Sequence, residues 1–313
     1  MCQNDPMANP LDTATQALAN RFRRQRPLRG GSLIISIFGD AIAPRGGAIT
    51  LGSLITLAEP FGLTERLVRT SVARLANEDW LAARREGRLS EYRLSTHGRS
   101  SFADATRRIY AAAPQAWNGM WTLVLLPQAK VTVRDRLREE LGLLGFGQPS
   151  PGVFAHPTRS ASDAREQLAG LSGASQAIVL EARNDNPDSD RQFASSGWDL
   201  GELAARYRRL VGMFEPIRSS LDRRQAPSPA TAFMIRTLLV HEYRKIHLRD
   251  PLLPPNLLPP DWIGAAAYDL CRELYGALFN AAEKHISDTA VQLRGPLPDP
   301  DADTFLRFGG LPR

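Results

Sequence analysis

Cysteine, lysine and long apolar runs are what this chain has least of. Two cysteines, Cys2 and Cys271, occur in 313 residues. One sits at the extreme N-terminal end, so no structural disulfide is expected and a reducing cytoplasm fits. No stretch reaches the ~18 apolar residues that a membrane-spanning helix needs, so no membrane partner is expected. The opening MCQNDPMANPLD lacks the basic-then-apolar order of a secretory leader. The glycine-rich fingerprints of phosphate and dinucleotide loops are missing, and so is the GxSxG elbow of a serine hydrolase. The histidines number five, and the pair His241 and His247 is six apart. Metal sharing on one helix face asks for i,i+4, so packed or capping histidines are the better reading. Cys271 has apolar neighbours in a helical pattern and reads as an inert core thiol. No catalytic residue, metal or cofactor is therefore expected.

What is present is positive charge, unevenly placed. The net charge is +6. Residues 1–108 hold 16 Arg against 10 Asp and Glu, while the remainder balances 23 against 23. The entire excess thus falls in the first third, which points to a polyanionic partner. With an ordinary apolar fraction of 43%, a chain of this length is expected to form two or three domains.

Residues 1–30 read as a flexible basic arm, with Arg21, Arg23, Arg24, Arg26 and Arg29 around Pro27. SLIISIFGDAI (32–42), capped by Ser32, and LGSLITLAEPFG (51–62) read as two short helices. LTERLVRTSVARLANEDW follows, with Thr64 as an N-cap candidate. On a helix at 100° per residue, Leu67, Val68, Ser71, Val72, Leu75 and Ala76 share one half. Arg66, Arg69, Thr70, Arg74 and Asn77 share the other, with Glu65 and Glu78 at its margins. A solvated helix usually mixes signs through i,i+4 pairs. Arginines interleaved with Thr and Asn suit phosphates and base edges. WLAARREGRLSEYRLSTHG (80–98) reads as a hairpin turning at Glu86-Gly87, with Arg84, Arg85 and Arg88 at its tip. Three helices and a basic hairpin form the order of a winged helix-turn-helix on double-stranded DNA. The plainer alternative is a helical hairpin with a basic solvent face.

A linking helix is expected to Pro114. After it, MWTLVLLP (120–127), PGVFAHP (151–157) and QAIVLEAR (176–183) read as strands separated by helices at 130–147 and 162–171. That alternation suggests a ferredoxin-like α+β domain. NDNPDSD (184–190) reads as a loop without the spacing or glycine of a calcium site. From residue 198 helices dominate, interrupted by the proline-rich RDPLLPPNLLPPDW (249–262), and the tail from 295 is expected to be loose. The expected fold class is a multidomain α+β chain. Its segments are 1–30, a winged helix-turn-helix with linking helix at 31–113, a ferredoxin-like domain at 114–197 and a mainly helical domain at 198–313.

SLIISIFGDAIAPRGG, LGSLITLAEPFGLTERLVRTSVARLANEDWL, GRLSEYRLSTHG, MWTLVLLP and HEYRKIHLRDPLLPPNLLPPDWIG resemble the phenylacetic-acid-degradation repressor (PaaX) family. The resemblance runs from about residue 30 to about 285. It implies a bacterial transcriptional repressor of aromatic-acid catabolism that binds operator DNA as a homodimer. It also implies release by an aryl-CoA thioester such as phenylacetyl-CoA, and a middle domain similar to a small CRISPR-associated nuclease. The acid-free strand 120–127 argues against metal-dependent cleavage there and for a scaffold or dimerisation role. An effector carrying an aromatic acyl group and an anion calls for apolar walls and cations. Tyr243, Arg244, His247, Arg249 and Trp262 are the candidates, with salt bridges and core packing as the alternative roles. Two other readings are weighed. An acyl-CoA-handling enzyme with an accessory DNA-binding domain would need a nucleophile that the chain does not offer. An RNA binder would need aromatic stacking platforms, which the outer helix face lacks.

Overall fold

The computed structural model describes residues 9–25, 30–111, 116–126, 131–171, 174, 176–221 and 226–311. Along the chain run α1 (Pro10–Arg23), α2 (Gly30–Ile37), β1 (Ala48–Thr50), α3 (Leu51–Ala58), α4 (Glu65–Asn77), β2 (Leu81–Glu86), β3 (Leu89–Leu94) and α5 (Thr96–Ile109). Then come β4 (Met120–Leu125), α6 (Val131–Leu143), β5 (Gly147–Ser150), β6 (Val153–His156), α7 (Ala161–Ala169), β7 (Ile178–Arg183) and α8 (Pro187–Gly197). The remainder is α9 (Leu200–Leu221), α10 (Pro229–His247), α11 (Ile263–Thr289), the short pair β8 (Val291–Gln292) and β9 (Gly295–Pro296), and a 3₁₀ segment at Ala302–Gly309. The fold is mixed α+β, with helical N- and C-terminal regions and a central sheet.

Packing groups these elements differently from the four contiguous segments expected. One compact unit comprises residues 1–112, 208–248 and 265–313, and the other 113–207 and 249–264. In the first, α10 packs on α1, α2 and α5, so the C-terminal helices build the same core as the N-terminal ones. In the second, the proline-rich segment contributes Leu253 and Leu257 to a cluster with Trp121, Ala155, Ala194 and Leu200.

The flexible arm needs correction. Residues 10–23 are helical because Asn9 caps the first turn, Pro10 pre-sets it, and Leu11, Leu18 and Phe22 are buried. Phe22 meets Phe61 and His241 edge-on, at centroid distances of 6.4 and 5.5 Å. Arg26 and Arg29 lie outside the described residues. The loose tail is also corrected. Val291 donates its backbone N–H to Ser53 Oγ, and Leu293 donates to Glu91 Oε1. Leu297, Thr304, Arg307 and Phe308 are buried.

A charged cluster lies at the centre of this unit. Asp40 accepts hydrogen bonds from the Tyr110 and Tyr275 hydroxyls, both at 2.8 Å, and from Arg307 at 3.0 Å. Arg236 Nε is 2.9 Å from Asp40 Oδ2 as an ion pair, although its N–H is not aimed well enough to count as a hydrogen bond. Arg236 also pairs with Glu283, which holds Arg45 as well. Burial by itself would raise the Asp40 carboxyl, but Arg236 and Arg307 and the two phenols hold it below the ordinary carboxylate range. Three guanidinium groups face two carboxylates here. Aromatic faces supply further stabilisation, with Arg307 4.2 Å from the Tyr110 ring centre and Arg236 5.4 Å from that of Tyr275.

The second unit is built on a four-stranded antiparallel sheet in the order β5-β6-β4-β7. One face, with Val124, Phe154 and Val179, is covered by Leu137 and Leu141 of α6 and Ala164 and Leu168 of α7. Strand β5 and helix α8 were not expected. Strand β5 is short and irregular in register. Helix α8 starts inside the segment read as a loop, with Asn186 as N-cap, Pro187 in the first turn, and Asp188 and Asp190 at the positive end of the helix dipole.

Candidate nucleic-acid interface

Helix α4 starts where Thr64 accepts a hydrogen bond from the Leu67 N–H, as expected for an N-cap. It stops at Asp79, which takes a left-handed conformation with φ of 56°. Ser95 then ties the exit by donating its hydroxyl to the Asp79 carbonyl. Close packing fixes the next element. A Cβ at Gly98 would stand 2.2 Å from the Trp80 carbonyl oxygen, so glycine lets α5 approach the start of the hairpin. Val68, Ser71, Val72 and Leu75 are buried, and α4 packs on α2 and α3. Ser32, expected as a cap, instead lies inside α2, where its hydroxyl accepts from Arg244.

Arg66, Arg69, Thr70, Arg74 and Asn77 are all exposed along one face of α4. The face is not wholly unpartnered. Arg69 pairs with Glu65 at 2.6 Å and Arg74 with Glu78 at 3.3 Å, both i,i+4. That spacing was open to reading in the sequence. Both pairs are well exposed, so they hold the guanidinium groups loosely and in orientations that an anion can compete for. Thr70 donates its hydroxyl back to the Arg66 carbonyl at 2.9 Å, which leaves its oxygen lone pair and methyl outward. Arg66 has no ion pair among the described residues.

Strands β2 and β3 pair from Leu81–Leu94 to Glu86–Leu89. The turn therefore lies at Gly87 and Arg88, one residue later than expected. Gly87, with φ of 57°, takes the first central position that a tight type II′ hairpin requires. Arg84, Arg85 and Arg88 are exposed at this end, and only Arg84 is paired among the described residues, with Glu86 at 3.6 Å. The base of the hairpin is anchored. Strand β3 also pairs with β1, and the buried Glu91 accepts from Arg93 and from the Leu293 N–H. A stem anchored through β3 thus carries a solvent-exposed cationic tip.

The five effector candidates divide between the two compact units. Tyr243, Arg244 and His247 belong to the first compact unit, and Arg249 and Trp262 to the second. Tyr243 is buried and stacked on His247 at 4.7 Å. Arg244 donates to the Ser32 carbonyl, Ser32 Oγ and Ser36 Oγ at 2.7 to 2.9 Å. Beside it, the buried His241 Nδ1 lies 2.9 Å from Ser36 Oγ. Burial, then Arg244 and Lys245, keep the His241 imidazole well below its ordinary value and neutral. These groups fasten α2 to α10. His247 Nε2 lies 3.0 Å from the Arg108 carbonyl. Arg249 is exposed, and Trp262 packs edge-on against Tyr207.

Residues 29–98 match the family described as PaaX-like protein. Residues 114–194 match the PaaX protein central Cas2-like domain, and residues 198–288 the PaaX-like protein C-terminal domain. The chain belongs to the PaaX-like family. The transcriptional repressor PaaX of Escherichia coli (strain K12) is 37% identical over 305 residues, which cover 96% of this chain and 95% of that protein. Among solved structures, the uncharacterised protein Rv0674 from Mycobacterium tuberculosis is 23% identical, with a TM-score of 0.49 over 74% of this chain and 89% of that one. The PaaX-like match at 29–98 contains α2, α3, α4 and the basic hairpin. The C-terminal match contains α10, whose Arg244 holds α2. No helix among the described residues is long and apolar enough to cross a membrane.

Proposed function

We propose that this protein is a transcriptional repressor of an aromatic-acid catabolic operon, acting through a winged helix-turn-helix on double-stranded operator DNA. The observation that carries the reading is the exposed row Arg66, Arg69, Thr70, Arg74 and Asn77 on a helix whose other face is buried. In this reading α4 enters the major groove. Arg69, Arg74 and Asn77 reach base edges or phosphates, where a guanidinium matches guanine and a carboxamide matches adenine. Arg84, Arg85 and Arg88 on the β2–β3 wing neutralise flanking phosphates. The ion pairs with Glu65, Glu78 and Glu86 then exchange for pairs with DNA.

The protein acts as a homodimer in the cytoplasm, with two α4 helices spanning half-sites about one DNA turn apart. An aryl-CoA thioester such as phenylacetyl-CoA releases it by favouring a conformation in which the two helices no longer match that spacing. The central domain has ferredoxin-like connectivity and serves as a scaffold. Its role is non-enzymatic, and the reading needs no cofactor. The E. coli relative that carries the repressor name aligns along nearly the whole chain, which supports this assignment.

The test is a titration of the promoter DNA beside its own gene, at fixed salt, with and without phenylacetyl-CoA. The expected result is sequence-specific binding that the thioester releases and free phenylacetate does not. Specific binding untouched by the thioester would keep the repressor and discard the inducer. Weak binding that salt removes and that shows no sequence preference would refute the reading.

A further inference from the structure

The second compact unit contains a cleft of about 530 Å³ bounded by α6, β5, the end of α8 and the start of α9. That size lies in the range of small-molecule sites, roughly 300–1,000 Å³. Its apolar wall is aromatic, formed by Phe146, Phe154 and Trp198. Phe146 and Phe154 are buried, so they cannot leave the wall without opening the sheet core. Trp198 lies flat against strand β5. A Cβ at Gly147 would stand 2.5 Å from the indole, so glycine is what permits the ring to seat there.

The lining also carries polar groups and a cation. Arg138 is exposed on α6 and has no ion pair among the described residues. Gln148 adds a carboxamide. Asp199 also lines the cleft, but its carboxylate is engaged as the cap of α9, accepting from the Glu202 N–H at 2.9 Å. Gly142 also lines the cleft, and a Cβ there would meet nothing within 4 Å. A larger side chain at this position would therefore extend into open space beside the lining.

A neighbouring cleft of about 440 Å³ is a weaker candidate. Its buried acid, Asp190, is already committed to the Trp121 indole N–H at 2.8 Å.

We infer that the cleft between α6, β5 and α9 is a binding site for a small molecule with a flat aromatic end and an anionic end. The aromatic end lies against the partly exposed Trp198, over a floor to which the buried Phe146 and Phe154 contribute, and the anionic end faces Arg138. This rests on the reading of the protein as an effector-released repressor, and it places the effector at α6, β5 and α9 instead of at Tyr243, Arg244, His247, Arg249 and Trp262. An aryl carboxylate and an aryl-CoA thioester share this chemistry, so both are used as probes.

The experiment measures binding of phenylacetyl-CoA, phenylacetate and CoA alone to the full-length protein by calorimetry. It compares wild type with Gly142→Trp, which adds bulk to the lining, and Arg138→Ala, which removes the cation. The expected result is binding of at least one arylacetyl probe, weakened roughly tenfold or more in both variants. Operator binding without ligand should be unchanged in both. Which arylacetyl probe binds more tightly identifies the source of the anion. Binding of CoA alone as tight as that of its thioester would overturn the aromatic seat. Unaltered affinity in both variants, or no binding of either arylacetyl probe to wild type, would overturn the site. If Gly142→Trp melts early, the exposed Arg138→Ala and Arg138→Glu decide. The unliganded operator titration tests the repressor reading separately, so either proposal can fail alone.

Discussion

Removing Arg69 and Arg74 together separates a reading face from a merely solvated one. Each guanidinium side chain is more than half exposed and holds one i,i+4 glutamate. Such pairs contribute ~0.3–0.5 kcal/mol each, so the double alanine variant should lose under about 1 kcal/mol of stability. In a unit of this size that is a melting shift below ~4 °C. Alanine's higher helix propensity offsets part of it. The effect on DNA should be far larger. A specific contact from an arginine is worth ~1–3 kcal/mol, so losing two weakens operator binding about 30-fold to 10⁴-fold. If both contact phosphate, the slope of log K against log salt should fall by roughly 2. Electrophoretic or fluorescence titration at several salt concentrations, beside a thermal melt, measures all three. A large melting loss that accompanies the binding loss would show that these arginines are structural. Unchanged binding with an unchanged slope would show that α4 does not face DNA.

Three further outcomes are expected. Asp40→Asn leaves Arg236 and Arg307 beside a neutral amide in the core, which should cost ~3–5 kcal/mol in urea unfolding; a loss under about 1 kcal/mol would mean that the aromatic faces suffice. Arg244→Met strips three hydrogen bonds from α2 and should cost ~2–3 kcal/mol, with no loss expected if the guanidinium is only a surface group. His156 has its imidazole lowered to about 4, first by burial and then by Arg159. The unfolded chain takes that proton near pH 6.5, so it binds more protons than the folded chain between about pH 6.5 and 4. Stability should therefore fall by up to ~3 kcal/mol as pH drops through that window. His156→Gln should flatten that part of the profile, and a wild-type slope in the variant would assign it elsewhere.

The amphipathic face of α4 was legible because helical periodicity sorts Val68, Val72 and Leu75 from Arg66, Arg69 and Arg74 without reference to the rest of the molecule. Gly87 marked the hairpin for the same local reason, since few other residues adopt its φ. The helix at residues 10–23 was masked by its polar composition. Phe61 and His241, far along the chain, help give Phe22 a place to pack. Helix α8 was a misreading of chemistry rather than of distance, because Asn-Pro followed by acids is a helix start as well as a turn. The effector set was assembled from residues adjacent in sequence, yet the chain crosses from one compact unit to the other between Leu248 and Arg249.

By itself the sequence determined which part of the chain is cationic, which elements form locally and which face of α4 is polar. Those properties depend on side-chain chemistry within a few residues. Tertiary structure alone decided that α10 and residues 291–308 complete the N-terminal unit, that Arg244 is an anchor, and that a cleft lined by Gly142 and Trp198 opens in the second unit. Each depends on contacts between segments up to more than 200 residues apart. No local pattern encodes such contacts, because burial and hydrogen-bond pairing are settled only when the whole chain has packed.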